Sequence, residues 1–493
     1  MARSNMPLIK TVPEERSDYV VDTFATTPLM STYLLALTVL YDYRSVSAGD
    51  NFTVWAPGRE IEAGRGNFTA RIGKEIMRFF TNYFGVGYPL PKNDQVYEFS
   101  KHFGGMENWG LVSYMPDYLM FGTGDNEQRK FDVMRFVCHE LVHTWFGNLV
   151  TMSWWSQVWI NEGLTTYFSY VGIEHLDPLI SPWARFFRRE MDPALLYDWD
   201  TDSHLALSSA ASDKDSILEK FDANLSYKKG ACFVRMMESI LTKRTFARGL
   251  STFLTAFSFS SVTEEDLFRQ LEAAGREVRE LFITIVTLSN CQDGTWPPAD
   301  PALTQSFSSA MRTWTQQAGL PVVTFTRSSS DPRSWTARQE WLVRSGSQTT
   351  ARRWFIPISY ATVGNASSWD VTKPFTFLSS DQEEVRFQLG EAGEPCVVFN
   401  VQATAFYRVN YDEASWRRIA EVLRKDKTLI APLNRDQIFS DVSALAVTGH
   451  VSQEISRLLL GLRDKTEQLE TPGDQAQDYS HINQDPISLM YKM

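Results

Sequence analysis

Residues 139 to 143 read His-Glu-Leu-Val-His, a pattern whose residue types and spacing suit a metal site with its own base. Residues four apart lie on one face of a helix, so His139 and His143 would face the same ion. Glu140 lies between them and could face a water on that ion. Glu162, nineteen positions after His143, supplies a third ligand. Two histidines and one glutamate leave one coordination position open, as a catalytic zinc site requires.

The segment around these histidines is strongly apolar, so three polar side chains buried in it without a partner would cost free energy. The apolar residues that predict this buried helix are Val133, Met134, Phe136, Val137, Leu141, Val142, Trp145 and Phe146. A single helical histidine is more often a surface or core residue than a ligand. Two histidines at ligand spacing in such a helix instead favour one zinc ion per chain.

A second motif lies upstream, where residues 104 to 110 read Gly-Gly-Met-Glu-Asn-Trp-Gly. Adjacent glycines followed by a carboxylate and an amide predict an extended segment whose backbone can approach a ligand closely. Glu107 could hold a cationic group there by a charge-assisted hydrogen bond. Taken alone, the motif is more often an ordinary glycine turn with a solvated glutamate.

Together, GGMENWG, HELVH and WINEG around Glu162 resemble the motifs of the M1 family of gluzincin zinc aminopeptidases, in the family's order and spacing. The likeness extends over about residues 4 to 450. The further segments that carry it are SNMP from Ser4, TTPLMSTYLLA from Thr26, WFGNLVT from Trp145, SYKKGA from Ser226 and FYRVNYD from Phe406.

The resemblance implies a role for each residue that matches a catalytic or metal position. His139, His143 and Glu162 would bind zinc, which lowers the pKa of a water and polarises the peptide carbonyl. Glu140 would take the proton of that water and pass it to the leaving amine. Tyr227 would hydrogen-bond the tetrahedral oxyanion.

The resemblance also implies how a peptide would bind. Glu107 would bind the free α-amino group of the substrate. Gly104, Gly105, Met106 and Asn108 would line the same cleft, where backbone groups align the peptide. A carboxylate fixed near the metal would set the cut after one residue, so the expected enzyme is an exopeptidase for peptides with an accessible N-terminus.

Several positions depart from the pattern of the family. Gly105 replaces the usual alanine, Thr144 replaces a usual glutamine, and residues 156–157 stand where an acidic residue is common. Ser169, seven positions after Glu162, replaces a common glutamate and would face the same side of the helix. A carboxylate there could orient a zinc histidine, and its loss can cost roughly tenfold or more in metal affinity.

Two alternatives to an ordinary aminopeptidase therefore stay open. One is a pyroglutamyl-peptide ectopeptidase, whose substrate has no free ammonium, so that Glu107 would need another role. The other is a catalytically weak or inactive pseudo-peptidase that acts as a binding surface. Metal content and turnover of aminoacyl and pyroglutamyl substrates distinguish the three.

Composition predicts a large multidomain protein. The chain has 493 residues, and 43% hydrophobic residues are enough for sizeable cores. A net charge of −11 without a basic stripe argues against nucleic acid as a partner. The four cysteines form no CxxC pair and do not define a redox compartment, and a bridge between Cys291 and Cys396 stays open.

The sequence does not start with a signal-peptide pattern and contains no run of about twenty apolar residues, so we expect no membrane-spanning helix within it. The ectoenzymes of the family are usually type II membrane proteins, so the resemblance implies the extracellular face of the plasma membrane or secretion. It also implies that the chain is incomplete at both ends, that it starts inside a β-rich domain, and that a helical domain can mediate a homodimer.

The expected fold is multidomain α+β. Residues 1–44 would form a partial N-terminal β-domain, with a buried strand from Tyr33 to Tyr41. Residues 45–318 would form a thermolysin-like, mainly helical catalytic domain, 319–409 a β-sandwich domain, and 410–493 the start of an α-helical domain. Two segments do not fit this plan: the apolar run 281–289, and the polar residues 471–485, which predict disorder.

Overall fold

The computed structural model describes residues 1–15, 18–49, 51–98, 104–200, 205–285, 306–343, 352–390 and 396–467. Within these ranges the chain mixes helices and sheets around one large hydrophobic core, beside a second small cluster of Leu40, Val96 and Leu111. The predicted α+β class is confirmed, whereas its division into four domains stays a prediction. No helix of the described ranges is long and apolar enough to span a membrane.

The strands of the described ranges are short, and most belong to small sheets. In chain order, β1 to β19 are Ala2–Ser4, Leu8–Pro13, Val20–Phe24, Leu37–Val39, Tyr43–Ser47, Phe52–Pro57, Asn93–Tyr97, Gly105–Met106, Leu111–Tyr114, Val150–Met152, Ser260–Val262, Leu320–Arg327, Ser334–Leu342, Ile356–Ile358, Tyr360–Thr362, Thr376–Leu378, Glu384–Gln388, Val397–Phe399 and Arg408–Tyr411.

The helices concentrate in the middle and at the end of the chain. In the described ranges, α1 to α15 are Gly58–Glu62, Asn67–Phe84, Pro116–Leu119, Glu127–Val142, Val158–Leu176, Pro182–Phe186, Asp192–Asp200, Lys214–Lys220, Gly230–Leu241, Lys243–Ala256, Glu264–Ile285, Phe307–Thr315, Glu413–Lys425, Pro432–Val447 and Gln453–Glu467. Two π-helical turns, Phe187–Met191 and Ala223–Lys229, precede α7 and α9.

The N-terminal segment forms two antiparallel strand pairs, β1 with β4 and β2 with β3. The predicted buried strand from Tyr33 to Tyr41 is wrong. Only Leu37–Val39 is a strand, and Val39 and Tyr41 are 76% and 92% exposed. Apolar composition indicates a preference for burial, but β4 pairs only with β1 among the described residues, so it gains no covering layer.

A five-stranded sheet in the order β5-β6-β7-β9-β8 supports the upstream motif. Strands β6, β7 and β9 run parallel, and β5 and β8 are antiparallel edges. The edge strand β8 is Gly105–Met106, so the motif has the extended backbone that its glycines predict. The predicted boundary between residues 44 and 45 falls inside β5, and the sheet therefore continues across it.

Helix α4 carries the two histidines and begins at a side-chain cap. The side-chain oxygen of Asn126 accepts the backbone N–H of Arg129 at 2.8 Å, which satisfies one free donor of the first turn. The helix ends at Val142, earlier than the apolar pattern suggests, and His143 is its last, capping residue. The chain then turns at Gly147, whose φ of +125° favours glycine.

Helix α5 carries Glu162 and is apolar on nearly all sides, as expected for a helix buried against α4 and α9. Glycines allow the closest of these contacts. A Cβ atom added to Gly163 would lie 2.8 Å from the carbonyl carbon of Gly230, closer than real Cβ atoms approach. This contact brings the turn before α9, which contains Tyr227, next to the ligand-bearing part of α5.

A buried ion pair anchors the same turn. The Lys229 ammonium lies 2.6 Å from a carboxylate oxygen of Asp198 on α7, and both side chains are at most 2% exposed. Charges withdrawn from water this completely depend on each other, because removing either one leaves its partner buried without its counter-charge.

Replacing Asp198 by Asn should therefore lower the free energy of unfolding by about 3 kcal/mol or more, since Lys229 loses its counter-charge. Urea unfolding followed by fluorescence measures the loss. Glu62→Gln is the control, because it breaks a surface pair with Arg44 whose side chains are 58% and 62% exposed, and should change stability by about 1 kcal/mol at most. Equal effects of the two substitutions would contradict the assignment.

Some predicted features lie at or beyond the limits of the described ranges. Helix α11 extends to Ile285, and residues 286–289 of the apolar run lie outside them. Residues 471–485, with their predicted disorder, and Cys291, with its open pairing to Cys396, also lie outside.

Candidate metal centre and active site

Three predicted ligand atoms converge at one point between α4 and α5. His139 Nε2 lies 3.2 Å from His143 Nε2 and 3.2 Å from Glu162 Oε2. The third side of the triangle, from His143 Nε2 to Glu162 Oε2, is 3.4 Å. Residues distant in sequence thus present two nitrogens and one oxygen to a common centre.

A backbone contact fixes the tautomer of His143. Its Nδ1 lies 2.9 Å from the carbonyl oxygen of Phe146. Because a carbonyl oxygen can only accept, Nδ1 must carry the hydrogen, and in the neutral ring the lone pair is left on Nε2. That nitrogen faces His139 and Glu162, which is the arrangement that a metal-binding histidine needs.

The electrostatics of the triad favour a positive charge. Burial opposes the charged form of His143, but the carboxylates of Glu107 and Glu162 raise its pKa to about 10. Burial also tends to raise the pKa of Glu162, yet the two histidines bring it down to about 2. Burial lowers the pKa of His139. The same neighbouring carboxylates attract a metal cation, and metals bind by replacing the protons of their ligands.

The triad fits a zinc ion in ligand type and spacing. Bonds of about 2.0 to 2.2 Å in tetrahedral geometry put neighbouring ligand atoms about 3.3 to 3.6 Å apart. The observed sides of 3.2 to 3.4 Å lie within about 0.1 Å of that spacing. Nitrogen and carboxylate donors with a fourth position free form the set typical of catalytic zinc.

Glu140 is 5% exposed and lies beside the triad. Its carboxylate and that of Glu107 lie within 4.8 Å of each other and of a ring nitrogen of His143. Burial raises the pKa of Glu140 well above its ordinary value; His143 opposes the shift, and the charges of Glu107 and Glu162 add to it. The side chain is therefore a stronger base than a solvated glutamate.

Glu107 is held by the turn that follows α4. The side-chain amide of Asn148 donates to the backbone carbonyl of Glu107 at 2.8 Å, and both residues are buried. Burial is the main cause of a raised pKa at Glu107; His143 opposes it, and Glu162 adds to it. The predicted ammonium-binding carboxylate thus stands next to the triad without belonging to it.

The two glycines of the motif leave no space for larger residues. A Cβ atom on Gly104 would clash with Phe136 Cε1, and one on Gly105 would clash with Glu140 Oε1, each closer than real Cβ atoms approach. The backbone of this segment consequently lies directly against helix α4 and the Glu140 side chain. A cavity of about 180 Å³ borders it, lined by Glu98, Gly105, Met106, Asn108, Ser113, Tyr114 and Met115.

Tyr227 lies beside the triad, in the π-helical turn before α9. Its ring is nearly parallel to that of His139, with centroids 6.2 Å apart. Burial raises the pKa of Tyr227 first, and the carboxylates of Glu162, Glu107 and Glu140 raise it further, so the hydroxyl stays protonated and can donate.

The departures from the family's pattern differ in their surroundings. Ser169 is fully buried, and its hydroxyl donates to the Thr166 carbonyl of its own helix at 2.7 Å. Gln157 accepts the backbone N–H of Glu264 at 2.9 Å, near the start of α11. Both side chains therefore hydrogen-bond to backbone groups, and Ser169 does so within its own helix.

The sequence did not predict the roles of two residues at the site. The Asn148 amide donates to the backbone carbonyl of Glu107. The Tyr33 hydroxyl donates to the carbonyl of Gly147, the residue before Asn148, at 3.2 Å. Both lie in segments quoted for their family likeness, TTPLMSTYLLA and WFGNLVT. Their roles were not predicted, because a motif that resembles a family does not by itself indicate which long-range contacts its polar side chains make.

Two parts of this chain match known family domains. Residues 68–285 match the peptidase family M1 domain, and residues 396–469 match the ERAP1-like C-terminal domain. The chain is 32% identical over 452 residues to aminopeptidase N of Mus musculus, covering 89% of this chain and 43% of that protein.

Two further relatives have similar identity to this chain and similar coverage. Aminopeptidase N of Homo sapiens is 32% identical over 448 residues, covering 88% of this chain and 43% of its own length. Aminopeptidase Q of Homo sapiens is 29% identical over 464 residues, covering 92% and 44%. The chain therefore spans less than half the length of the curated relatives it matches.

Proposed function

We propose that the chain is a zinc-dependent aminopeptidase that releases N-terminal residues from peptides, because residues 68–285 match the peptidase family M1 domain. The proposal depends on one observation: the Glu107 carboxylate lies within 4.8 Å of a ring nitrogen of His143, yet stands outside the triad. A buried carboxylate so close to a metal site pairs well with an ammonium group. Only the first peptide bond of a chain has an ammonium at that distance.

In this proposal the triad of His139, His143 and Glu162 binds one zinc ion, which would polarise the scissile carbonyl and activate a water. Glu140 takes a proton from the attacking water and delivers it to the leaving amine. Its burial supports this role, because the raised pKa strengthens it as a base. The Tyr227 hydroxyl donates to the developing oxyanion.

The relatives support the reaction class, since they are named aminopeptidases. Because the chain spans less than half of their length, the activity of the whole relatives comes to this chain as part of the proposal. Peptides with an accessible N-terminus are the proposed substrates. A location at the extracellular face of the plasma membrane or in secretions, and a homodimer, are proposals that rest on the family resemblance alone.

Replacing Glu107 by Gln should lower kcat/KM for alanyl p-nitroanilide about tenfold, because a neutral amide holds the ammonium by a weaker hydrogen bond than a carboxylate does. Hydrolysis is measured by absorbance with the zinc-loaded protein. Treatment with a chelator should abolish turnover by wild type, and added zinc should restore it.

The matched control is Glu127→Gln, which removes one carboxylate from the exposed start of α4, where the side chain is 75% exposed. It should leave kcat/KM unchanged. Cleavage of pyroglutamyl p-nitroanilide alone would replace the proposal by the ectopeptidase alternative. Bound zinc without turnover of either substrate would instead support the pseudo-peptidase that acts as a binding surface.

A further inference from the structure

Tyr33 lies 114 residues before Gly147 in sequence, yet it contacts both segments that build the site. Its hydroxyl donates to the Gly147 carbonyl at 3.2 Å, and its own carbonyl accepts the side-chain amide of Asn108 at 3.3 Å. Asn148 donates to the Glu107 carbonyl at 2.8 Å. These three hydrogen bonds close a ring through Tyr33, residues 107–108 and residues 147–148, here named the Tyr33 ring.

The Tyr33 ring links the two parts of the site whose separation matters for an exopeptidase, the Glu107 carboxylate and the proposed metal ligand His143. One member, Glu107, presents the carboxylate that would take the ammonium. Another, Gly147, directly follows Phe146, whose carbonyl accepts the Nδ1 hydrogen of the ligand His143. Any movement of one segment relative to the other therefore strains a hydrogen bond of the ring.

We propose that Tyr33 is a positioning residue that fixes the Glu107 carboxylate relative to the ligand His143, and so sets the preference for a free amino terminus. The inference rests on the proposed function and deepens it, because it names the contact that makes the enzyme selective for an unblocked N-terminus. Tyr33 acts through Glu107 and Gly147 and needs no contact with the substrate.

Surrounding contacts hold Tyr33 itself in place. Its ring lies 5.8 Å from that of Trp155, and the buried amide of Asn5 donates to the carbonyls of Leu34 and Trp109 at 2.7 and 2.9 Å. Asn5 thus ties the residue after Tyr33 to the residue after Asn108. Burial, followed by the charges of Glu107 and Glu162, raises the pKa of Tyr33, so the phenol remains a hydrogen-bond donor.

Removing the hydroxyl alone should not unfold the site. The Gly147 carbonyl also accepts the Thr151 hydroxyl at 2.6 Å, so it keeps a partner in Tyr33→Phe. The substitution retains the aromatic side chain that packs against Trp155. It also retains the backbone carbonyl that accepts the Asn108 amide. A loss of selectivity in this variant therefore reports on the Tyr33 ring and not on folding.

The test uses two hydroxamates, which bind zinc in the same way but differ in one amine: alanine hydroxamate and propionyl hydroxamate. Their dissociation constants are measured by calorimetry with the full zinc-loaded chain. Wild type should prefer the amine, and Tyr33→Phe should reduce the ratio of affinities roughly fivefold, the equivalent of one neutral hydrogen bond. Zinc content and melting temperature should stay at wild-type values.

Tyr41→Phe is the matched control, because Tyr41 lies in the same segment and is 92% exposed. It should leave the ratio unchanged. Asn148→Ala removes a second bond of the Tyr33 ring, so its effect on the ratio should be less than additive with that of Tyr33→Phe. A less than additive loss of the affinity ratio in the Tyr33→Phe, Asn148→Ala double variant supports the role of the Tyr33 ring, even where Asn148→Ala also lowers stability.

Each outcome has one meaning. An unchanged ratio in Tyr33→Phe, or an equal loss of affinity for both hydroxamates, overturns the role of Tyr33 and leaves the proposed function intact. A wild-type protein that binds zinc and both hydroxamates but does not prefer the amine overturns the proposed function itself. The two failures are thus separated by which protein shows them.

Discussion

Replacing Glu140 by Gln should lower kcat for aminoacyl substrates by about a thousandfold or more, while one zinc ion per chain stays bound. General acid–base catalysis by one side chain contributes about 10² to 10⁴ in rate, and Glu140 would act twice, first as base and then as acid. Glutamine has the same shape and hydrogen-bonds well, but it cannot accept the proton. Single-turnover and steady-state rates, with zinc measured on the same samples, give the result.

The comparison with Glu162→Gln makes the experiment specific. Both residues are buried carboxylates within α4 and α5, but Glu162 is a member of the ligand triangle. Its substitution should release zinc, whereas Glu140→Gln should retain it. An active Glu140→Gln protein, or one that loses its metal, would contradict the role given to Glu140.

Replacing Gly105 by Ala should lower kcat roughly thirtyfold to a hundredfold, although alanine is the usual residue at this position in the family that the sequence resembles. An added Cβ would clash with the Glu140 carboxylate, and its nearest neighbour would be the oxygen Oε1 itself. That oxygen must then move by roughly 1 Å, and a displacement of about 1 Å at a reacting group costs about a hundredfold.

The loss should appear in kcat, with zinc content and the affinity for alanine hydroxamate close to wild type, because the ligand triangle and Glu107 are not displaced. Gly87→Ala is the control, since a Cβ there has no neighbour within 4 Å. Full activity in Gly105→Ala would mean that Glu140 adapts without loss and that this glycine has no catalytic consequence.

The local parts of the site were predictable because they depend on short-range geometry. The i, i+4 spacing put His139 and His143 on one helix face, and the observed distance of 3.2 Å between their Nε2 atoms agrees with that prediction. The paired glycines predicted an extended segment at Gly105, which is the edge strand β8. In both cases a rule about neighbouring residues was sufficient.

Features that depend on distant partners were not predictable in the same way. Tyr33 and Gly147 are 114 positions apart, and no periodicity links them. The apolar run around Val39 suggested a buried strand, but burial depends on whether another layer covers the strand, which composition does not state. The end of α4 at Val142 likewise depends on the turn at Gly147, where a positive φ redirects the chain.

Ser169 illustrates an intermediate case. Helical periodicity predicted that it faces the same side of α5 as Glu162, and its burial is consistent with a position inside the protein. The sequence did not indicate that its hydroxyl would bond the Thr166 carbonyl. A small hydroxyl in a helix can satisfy itself on its own backbone, whereas a glutamate must reach an external partner.

The central claim is that His139, His143 and Glu162 bind one zinc ion, and an anomalous-difference map recorded at the zinc absorption edge tests it most directly. We predict one peak per chain, about 2.0 to 2.2 Å from Nε2 of both histidines and from a carboxylate oxygen of Glu162. A zinc-saturated crystal with no peak at this triangle, or with its zinc bound elsewhere, would contradict it.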